Sequence, residues 1–232
     1  MIKESRVIKE SGAIKESGIG AAPGPTLVLA SASPARRATL TAAGVEVRVL
    51  VSGVDEDAVV AHYGVTDAQD VALVLARAKA EDVASRLGSD ADFEGALVLG
   101  CDSVLELGGQ VHGKPADAAQ AIARWQQMRG GSGVLHTGHW LIDARDDGGG
   151  GTLGAVASTR VHFGTLSDDE IAAYVATGEP LAVAGGFTLD GLGGAYVTGI
   201  EGDHHNVVGV SLPLLRDLLA EVGVSWHQLW RR

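Results

Sequence analysis

Cysteine is almost absent: Cys101 is the single thiol in 232 residues. No intrachain disulfide can form, which fits a reducing compartment. Long apolar runs are missing too. No stretch approaches the ~20 residues that cross a bilayer, and the polar N-terminus lacks the apolar segment of a secretory signal. We therefore expect a cytoplasmic protein with no membrane partner. Positive charge is scarce, with 18 Lys and Arg against 29 Asp and Glu and a formal net charge of −11. Grip on long DNA or RNA rests on basic faces, so a nucleic-acid polymer is not an expected partner. A small polyanion remains compatible, provided the few cations converge on one cleft. What is present, 46% hydrophobic and 20% charged residues, is the composition of an ordinary globular chain. The length suits one large domain or two small lobes, and a homodimer is compatible with it.

The N-terminus repeats "IKES" at Ile2, Ile8 and Ile14 and runs on into "GIGAAPGP". A period of six fits neither a helix face nor a strand face. Residues 1–25 are expected to be a disordered extension or a cloning-derived segment, and 26–232 a single domain. From Thr26 onward strands and helices alternate. "TLVLA" reads as a strand, Pro34–Ala43 as a helix and "VEVRVLVSGV" as a strand. "DAQDVALVLARAKAEDVASRL" reads as a helix. "ALVLG" is a buried-type strand, and "SVLELGGQV" a hairpin after it. Downstream come a helix over "ADAAQAIARWQQM", a strand over "VLHTGHWLID", the connector "RDDGGGGTLG" and a strand over "AVASTRVHF". A helix over "SDDEIAAYVATG" is capped by Ser167; "GGAYVTGI" is a strand and "LPLLRDLLAEVG" the closing helix. The pattern predicts an α/β fold with a mixed sheet and flanking helices.

One stretch poses an electrostatic question. In "LASASPARRATL", Ser33 and Pro34 start a helix, yet Arg36 and Arg37 occupy the first turn, where the dipole favours acids. An anion at the helix start would make them assets; arginines bent into water would cost a few tenths of a kcal/mol each. Other polar residues cluster at element ends, where α/β folds place sites. Ser31 and Ser33 follow the first strand, Asp55 and Glu56 the second, and Asp102 and Ser103 follow "ALVLG". Lys114 sits in the "HGKP" turn, and Asp190 and Asp203 in glycine-rich loops. Lys79 projects from an otherwise apolar, alanine-rich helix face. Separated cations with separated acids can neutralise a polyphosphate and activate water. By contrast, His136 and His139 point to opposite strand faces, and His204 and His205 have no third ligand at metal spacing. "GLGG" lacks the strand and helix of a dinucleotide fingerprint. Cys101 reads as a small buried hydrophobe, and Trp226 with Trp230 as a packed helical edge.

These motifs run in an order that resembles the Maf proteins, nucleoside triphosphate pyrophosphatases. The resemblance rests on "LASASPARR", "SGVDE", "LARAKA", "GCDSV", "GKPADAAQA", "TRVHFGTLSDDEIAAYVATGEP", "AGGFTLDGLGG" and "IEGDHHNVVGVSLPLL". It implies an elongated, two-lobed α/β architecture with a central cleft. It also implies cleavage between the α- and β-phosphates of a nucleotide with a divalent cation, Mg²⁺ or Mn²⁺. By position, Asp102 matches the family's proton acceptor, and Lys79 and Lys114 its cationic catalytic residues. Ser31 and Arg36 match phosphate-cleft residues, and Glu56 the acid near the metal. The specificity positions hold Ala35, Ser103 and Asp190. One branch, acting on dTTP and UTP, reads Ser-Pro-Arg-Arg, Asp-Thr and Ile-Gln-Gly there; another, acting on 7-methyl-GTP, reads Trp, Gln and Glu. This chain matches neither set, and Val183 replaces a lysine common in the first branch. The rival implication is a nucleotide-sensing regulator of cell division that does not hydrolyse.

Overall fold

The computed structural model describes residues 24–87, 95–145 and 150–230. Residues 1–23 of the expected extension lie outside that set, as do 146–149 of the glycine-rich connector. The strands are β1 (Thr26–Ala30), β2 (Val47–Val49), β3 (Ala96–Leu107), β4 (Gln110–His112), β5 (Ser132–Ala144), β6 (Thr152–Phe163) and β7 (Val197–Glu201). The helices are α1 (Pro34–Ala42), α2 (Glu56–Tyr63), α3 (Ala68–Leu87), α4 (Ala118–Met128), α5 (Asp168–Ala176), α6 (His204–Val208) and α7 (Leu212–Glu221). One mixed sheet runs β2-β1-β3-β5-β6-β7, with β4 folded back on β3. β1 lies parallel to both neighbours. That suits its unbroken apolar sequence, because a parallel strand with both faces covered has no polar side. β3, β5 and β6 are long and antiparallel.

Apolar side chains gather toward both ends of these long strands. Toward one end, Leu27, Leu29, Leu97, Leu99, Leu141, Leu215 and Leu219 pack one face, while Val28, Ala30, Val83 and Val98 pack the other under α3. Toward the other end, Leu105, Trp125, Met128, Phe163, Ile171 and Tyr174 form a second centre with α4 and α5. Two packing centres share three strands in one mixed α/β sheet, as in the two-lobed arrangement that the resemblance implies.

Helix α3 sits unusually deep on the sheet. Ala72, Ala76 and Ala80 are fully buried against glycines in the strands. A Cβ on Gly100 would overlap the Ala76 carbonyl oxygen, and one on Gly138 the Ala72 carbonyl oxygen.

Several elements differ from the sequence reading. "VEVRVLVSGV" pairs with β1 only over Val47–Val49, with an isolated bridge from Val45 to Trp230; Leu50 N–H still reaches the Leu29 carbonyl, but β1 ends at Ala30 and offers no further register. The Asp55–Glu56 turn is instead the start of α2, with Asp55 accepting from Ala58 N–H at 3.0 Å and Gly64 closing the helix at φ 64°. "GGAYVTGI" is a 3₁₀ turn over Leu192–Tyr196 before β7 begins.

Candidate active site

β1 pairs with β3 as far as Gly100, and β4 takes over only at Leu105. Between them, residues 101–104 of β3 have no strand partner on that edge among the described residues. Successive side chains of a strand point to opposite faces, but beside an open edge both faces border the same space. Asp102 and Ser103 therefore line one cleft of about 1180 Å³, although they lie mid-strand and not after its end as the sequence suggested. The cleft brings together the nine residues to which the resemblance gives a role: Ser31, Ala35, Arg36, Glu56, Lys79, Asp102, Ser103, Lys114 and Asp190; Asp55 and Asp203, also noted at element ends, are not part of its lining.

The depth of α3 carries Lys79 down to the sheet. Its ammonium lies 2.5 Å from Asp102 Oδ1 and 2.7 Å from Glu56 Oε1. The Lys79 and Asp102 side chains are 12% and 10% exposed, whereas Glu56, on the first turn of α2, is half exposed at the rim. Burial works against the Lys79 charge, but the two carboxylates outweigh it and hold the ammonium above its ordinary pKa. Burial also dominates at Asp102 and raises its carboxyl above the usual range in spite of Lys79 and Arg36. The neighbouring Cys101 thiol is pushed up to about 12 by burial, so it is no nucleophile.

Arg36 settles the question of the helix start in an unforeseen way. It turns back into the fold and is buried. Its Nε donates to the Gly209 carbonyl at 2.7 Å, Nη1 to Ser31 Oγ at 2.9 Å and Nη2 to Ser103 Oγ at 3.0 Å. The chain of donors continues from Ser103 Oγ to Thr137 Oγ1 at 2.9 Å, and from there to the Asn206 carbonyl at 3.1 Å. Three of the five guanidinium N–H groups are thus engaged internally, and Arg36 also lines the cleft. Arg37 stays exposed. Lys114, also exposed, makes no ion pair among the described residues. Its loop is fixed by the preceding Gly113 carbonyl, which accepts from Arg124 Nη1 at 2.7 Å and Gly185 N–H at 3.0 Å.

Glu179 also lines the cleft and was not singled out from the sequence. Its Oε1 accepts from Tyr174 Oη at 2.8 Å, Thr188 Oγ1 at 2.5 Å and Gly193 N–H at 3.0 Å; Oε2 accepts from Leu192 N–H at 3.1 Å. The available signal was the glycine density of "TLDGLGG", which implies a chain wrapped tightly around something. Thr137, fully buried, carried no signal at all, because only the fold brings it beside Ser103.

The cleft lining contains no His or Cys, so its metal-binding character is that of hard oxygen donors. Glu56, Asp57 and Asp102 supply them, and Glu56 Oε2 has no partner among the described residues. Such a set fits Mg²⁺ or Mn²⁺, with one or two carboxylates completed by phosphate oxygens and water. The histidines lie elsewhere. His136 bonds Ser158 and Glu106. His139 bonds the Thr137 carbonyl and accepts from Ser211 N–H at 2.8 Å, and burial lowers its pKa to about 4. Asp203 joins His204 and His205 in a cluster with ligand atoms within 4.8 Å, the third member that the sequence spacing did not reveal. It also caps α6, with Oδ1 accepting from His205 N–H.

Residues 26–222 match the family model described as Maf-like protein. A nucleoside triphosphate pyrophosphatase of Salinispora tropica is 60% identical over 89% of this chain and 88% of that protein. Another of the same name from Streptomyces coelicolor is 56% identical over 88% of this chain and 94% of that one. A third, from Nostoc punctiforme, is 48% identical over 89% and 98%. Among solved structures, a nucleoside-triphosphatase described as a dITP/XTP pyrophosphatase from Mycobacterium abscessus covers 84% of this chain and 93% of that one. Its TM-score is 0.34 at 13% identity, a likeness too distant to carry an argument. Among the described residues no helix is long and apolar enough to cross a membrane.

Proposed function

As a member of the Maf-like family, the chain is a nucleoside triphosphate pyrophosphatase, and we propose that residues 26–232 act as one catalytic domain in the following way. A nucleoside triphosphate enters the cleft and is cleaved between its α- and β-phosphates, giving a nucleoside monophosphate and pyrophosphate. This would remove non-standard or excess nucleotides from the pool. Asp102 accepts the proton of the attacking water. Burial raises its pKa, which makes it a stronger base than an ordinary carboxylate. Lys79 holds that carboxylate in place and offers positive charge to the phosphates, as does Lys114. The Arg36 guanidinium and the Ser31 hydroxyl bind phosphate oxygens beside the start of α1. Glu56, with Asp102, would hold a divalent cation, which neutralises charge on the phosphates when bound. Ala35, Ser103 and Asp190 border the nucleobase.

The observation that carries this reading is the placement of Lys79 between Asp102 and Glu56 in a cleft that Lys114 also borders. A nucleotide sensor has no need of a buried carboxylate poised to take a proton. The test is pyrophosphate release from a panel of nucleoside triphosphates with Mg²⁺ or Mn²⁺. Stoichiometric monophosphate and pyrophosphate are expected; tight nucleotide binding without release would replace the enzyme with the sensor.

A further inference from the structure

We infer that Glu179 is a positioning residue for nucleobase selection: it clamps the loop 188–193 and thereby fixes where Asp190 stands. The inference rests on the reading above, in which this loop borders the base.

The geometry is that of a strut. Glu179 opens the short turn Glu179–Ala182 just after α5. The loop "TLDGLG" bends around its carboxylate and is tied to it on both sides of Asp190, by the Thr188 hydroxyl before it and by the Leu192 and Gly193 N–H groups after it. Tyr174, anchored in the α5 core, supplies the fourth donor. Asp190, the untied tip between these anchors, is exposed toward the cleft. The glycines show how closely the loop is drawn in. A Cβ on Gly191 would stand 2.7 Å from Glu179 Oε2 and 2.8 Å from Thr188 Oγ1, and one on Gly193 would stand 2.8 Å from the Thr188 carbonyl.

No cation pairs with Glu179 among the described residues. Its charge is satisfied wholly by neutral donors, three of them from the loop. Burial disfavours that charge, but the donors outweigh it and hold the pKa below the ordinary glutamate value. The carboxylate therefore stays an acceptor throughout the working pH range. A glutamine cannot replace it: one oxygen can keep the Oε1 bonds, but the amide NH₂ then faces the Leu192 N–H donor to donor. Loosening the loop lets Asp190 wander, so the variant loses discrimination between bases and keeps its hold on phosphate.

The experiment compares wild type with Glu179→Gln and Tyr174→Phe. It measures kcat and KM for GTP and UTP, inhibition by inorganic tripolyphosphate, which has no base, and hydrogen exchange at the Leu192 and Gly193 amides. In Glu179→Gln, KM for the preferred nucleotide should rise about tenfold, the effect of one lost hydrogen bond to a charged group. The GTP-to-UTP ratio of kcat/KM should move toward one, kcat should stay within about threefold, and tripolyphosphate inhibition should be unchanged. Tyr174→Phe should shift the same quantities in the same direction by less, and it serves if the glutamine variant fails to fold. Nucleotides and tripolyphosphate weakening alike, or an unchanged base ratio, would overturn the inference. Fast exchange at both amides in wild type would overturn it without reference to activity. A wild type that hydrolyses no nucleotide would instead defeat the reading above, with the exchange data still judging the clamp.

Discussion

Asp102 and Glu179 border the same cleft, and the fold treats their charges in opposite ways. Asp102 is buried mid-strand with Lys79 as its close partner, and desolvation pushes its pKa up. Glu179 receives four N–H and O–H donors from a loop and a helix core, and its pKa goes down. A carboxylate with fewer donors than its burial demands can take a proton; one with a full set of neutral donors cannot and becomes scaffolding. The difference teaches that the chemistry of an acid in this cleft is read from its donors, and not from its being acidic or buried.

The sharpest way to break the contrast is to remove the Asp102 carboxylate. Asp102→Asn should lower kcat about 10²–10⁴-fold with nucleotide binding largely kept; activity within a few-fold of wild type would take Asp102 out of the role. Next is Lys114, which makes no ion pair among the described residues. Lys114→Ala should weaken kcat/KM for every nucleotide alike, by roughly 1.5–3 kcal/mol, and a change in base ranking larger than the change in overall rate would contradict its phosphate role. The third test is pH. If Asp102 accepts the proton as proposed, it works deprotonated, and because its pKa is raised, activity should fall as pH drops through a value above the usual carboxylate range. The depressed pKa of Glu179 keeps it ionised through that same limb, so the GTP-to-UTP ratio should stay flat while both rates fall. A ratio that moves with the limb would mean that the two carboxylates are not separate devices. The smallest effect is expected from Asp190→Gln, whose amide can donate as well as accept. The ratio should shift toward UTP by a few-fold, within the roughly hundredfold range that modest pocket contacts give, and an unchanged ratio would place Asp190 in solvent.

Asp102, Lys79, Glu56 and Lys114, which border the cleft, were noted in the sequence as polar residues at element ends or, for Lys79, on an alanine-rich helix face, and their proposed roles came from the resemblance. The α/β class followed from alternating periodicities. Less was visible where the answer depended on a partner distant in sequence. The length of β2 is set by where β1 stops, which no local pattern encodes. That Arg36 is also tied into the fold was not legible, because its acceptors at Gly209 and Ser103 lie 173 and 67 residues away. Helix α2 was overlooked although Asp55 and Gly64 are ordinary cap residues, because a charged pair after a strand also reads as a turn. Glu179 stayed hidden because its donors are mostly backbone N–H and hydroxyl groups, which every loop contains.

The close seating of α3 on Gly100 and Gly138 has a consequence for anyone sorting variants by phenotype. Lys79 reaches Asp102 only because the helix axis lies as near the sheet as two hydrogen atoms in place of side chains permit. A single methyl group at either glycine must lift the helix, drawing the ammonium away from a carboxylate that stays where β3 holds it. Alanine at position 138, which touches no nucleotide, would then register in an activity screen beside the catalytic substitutions. A map of functional positions drawn from such a screen would trace the underside of a helix as faithfully as the lining of the cleft.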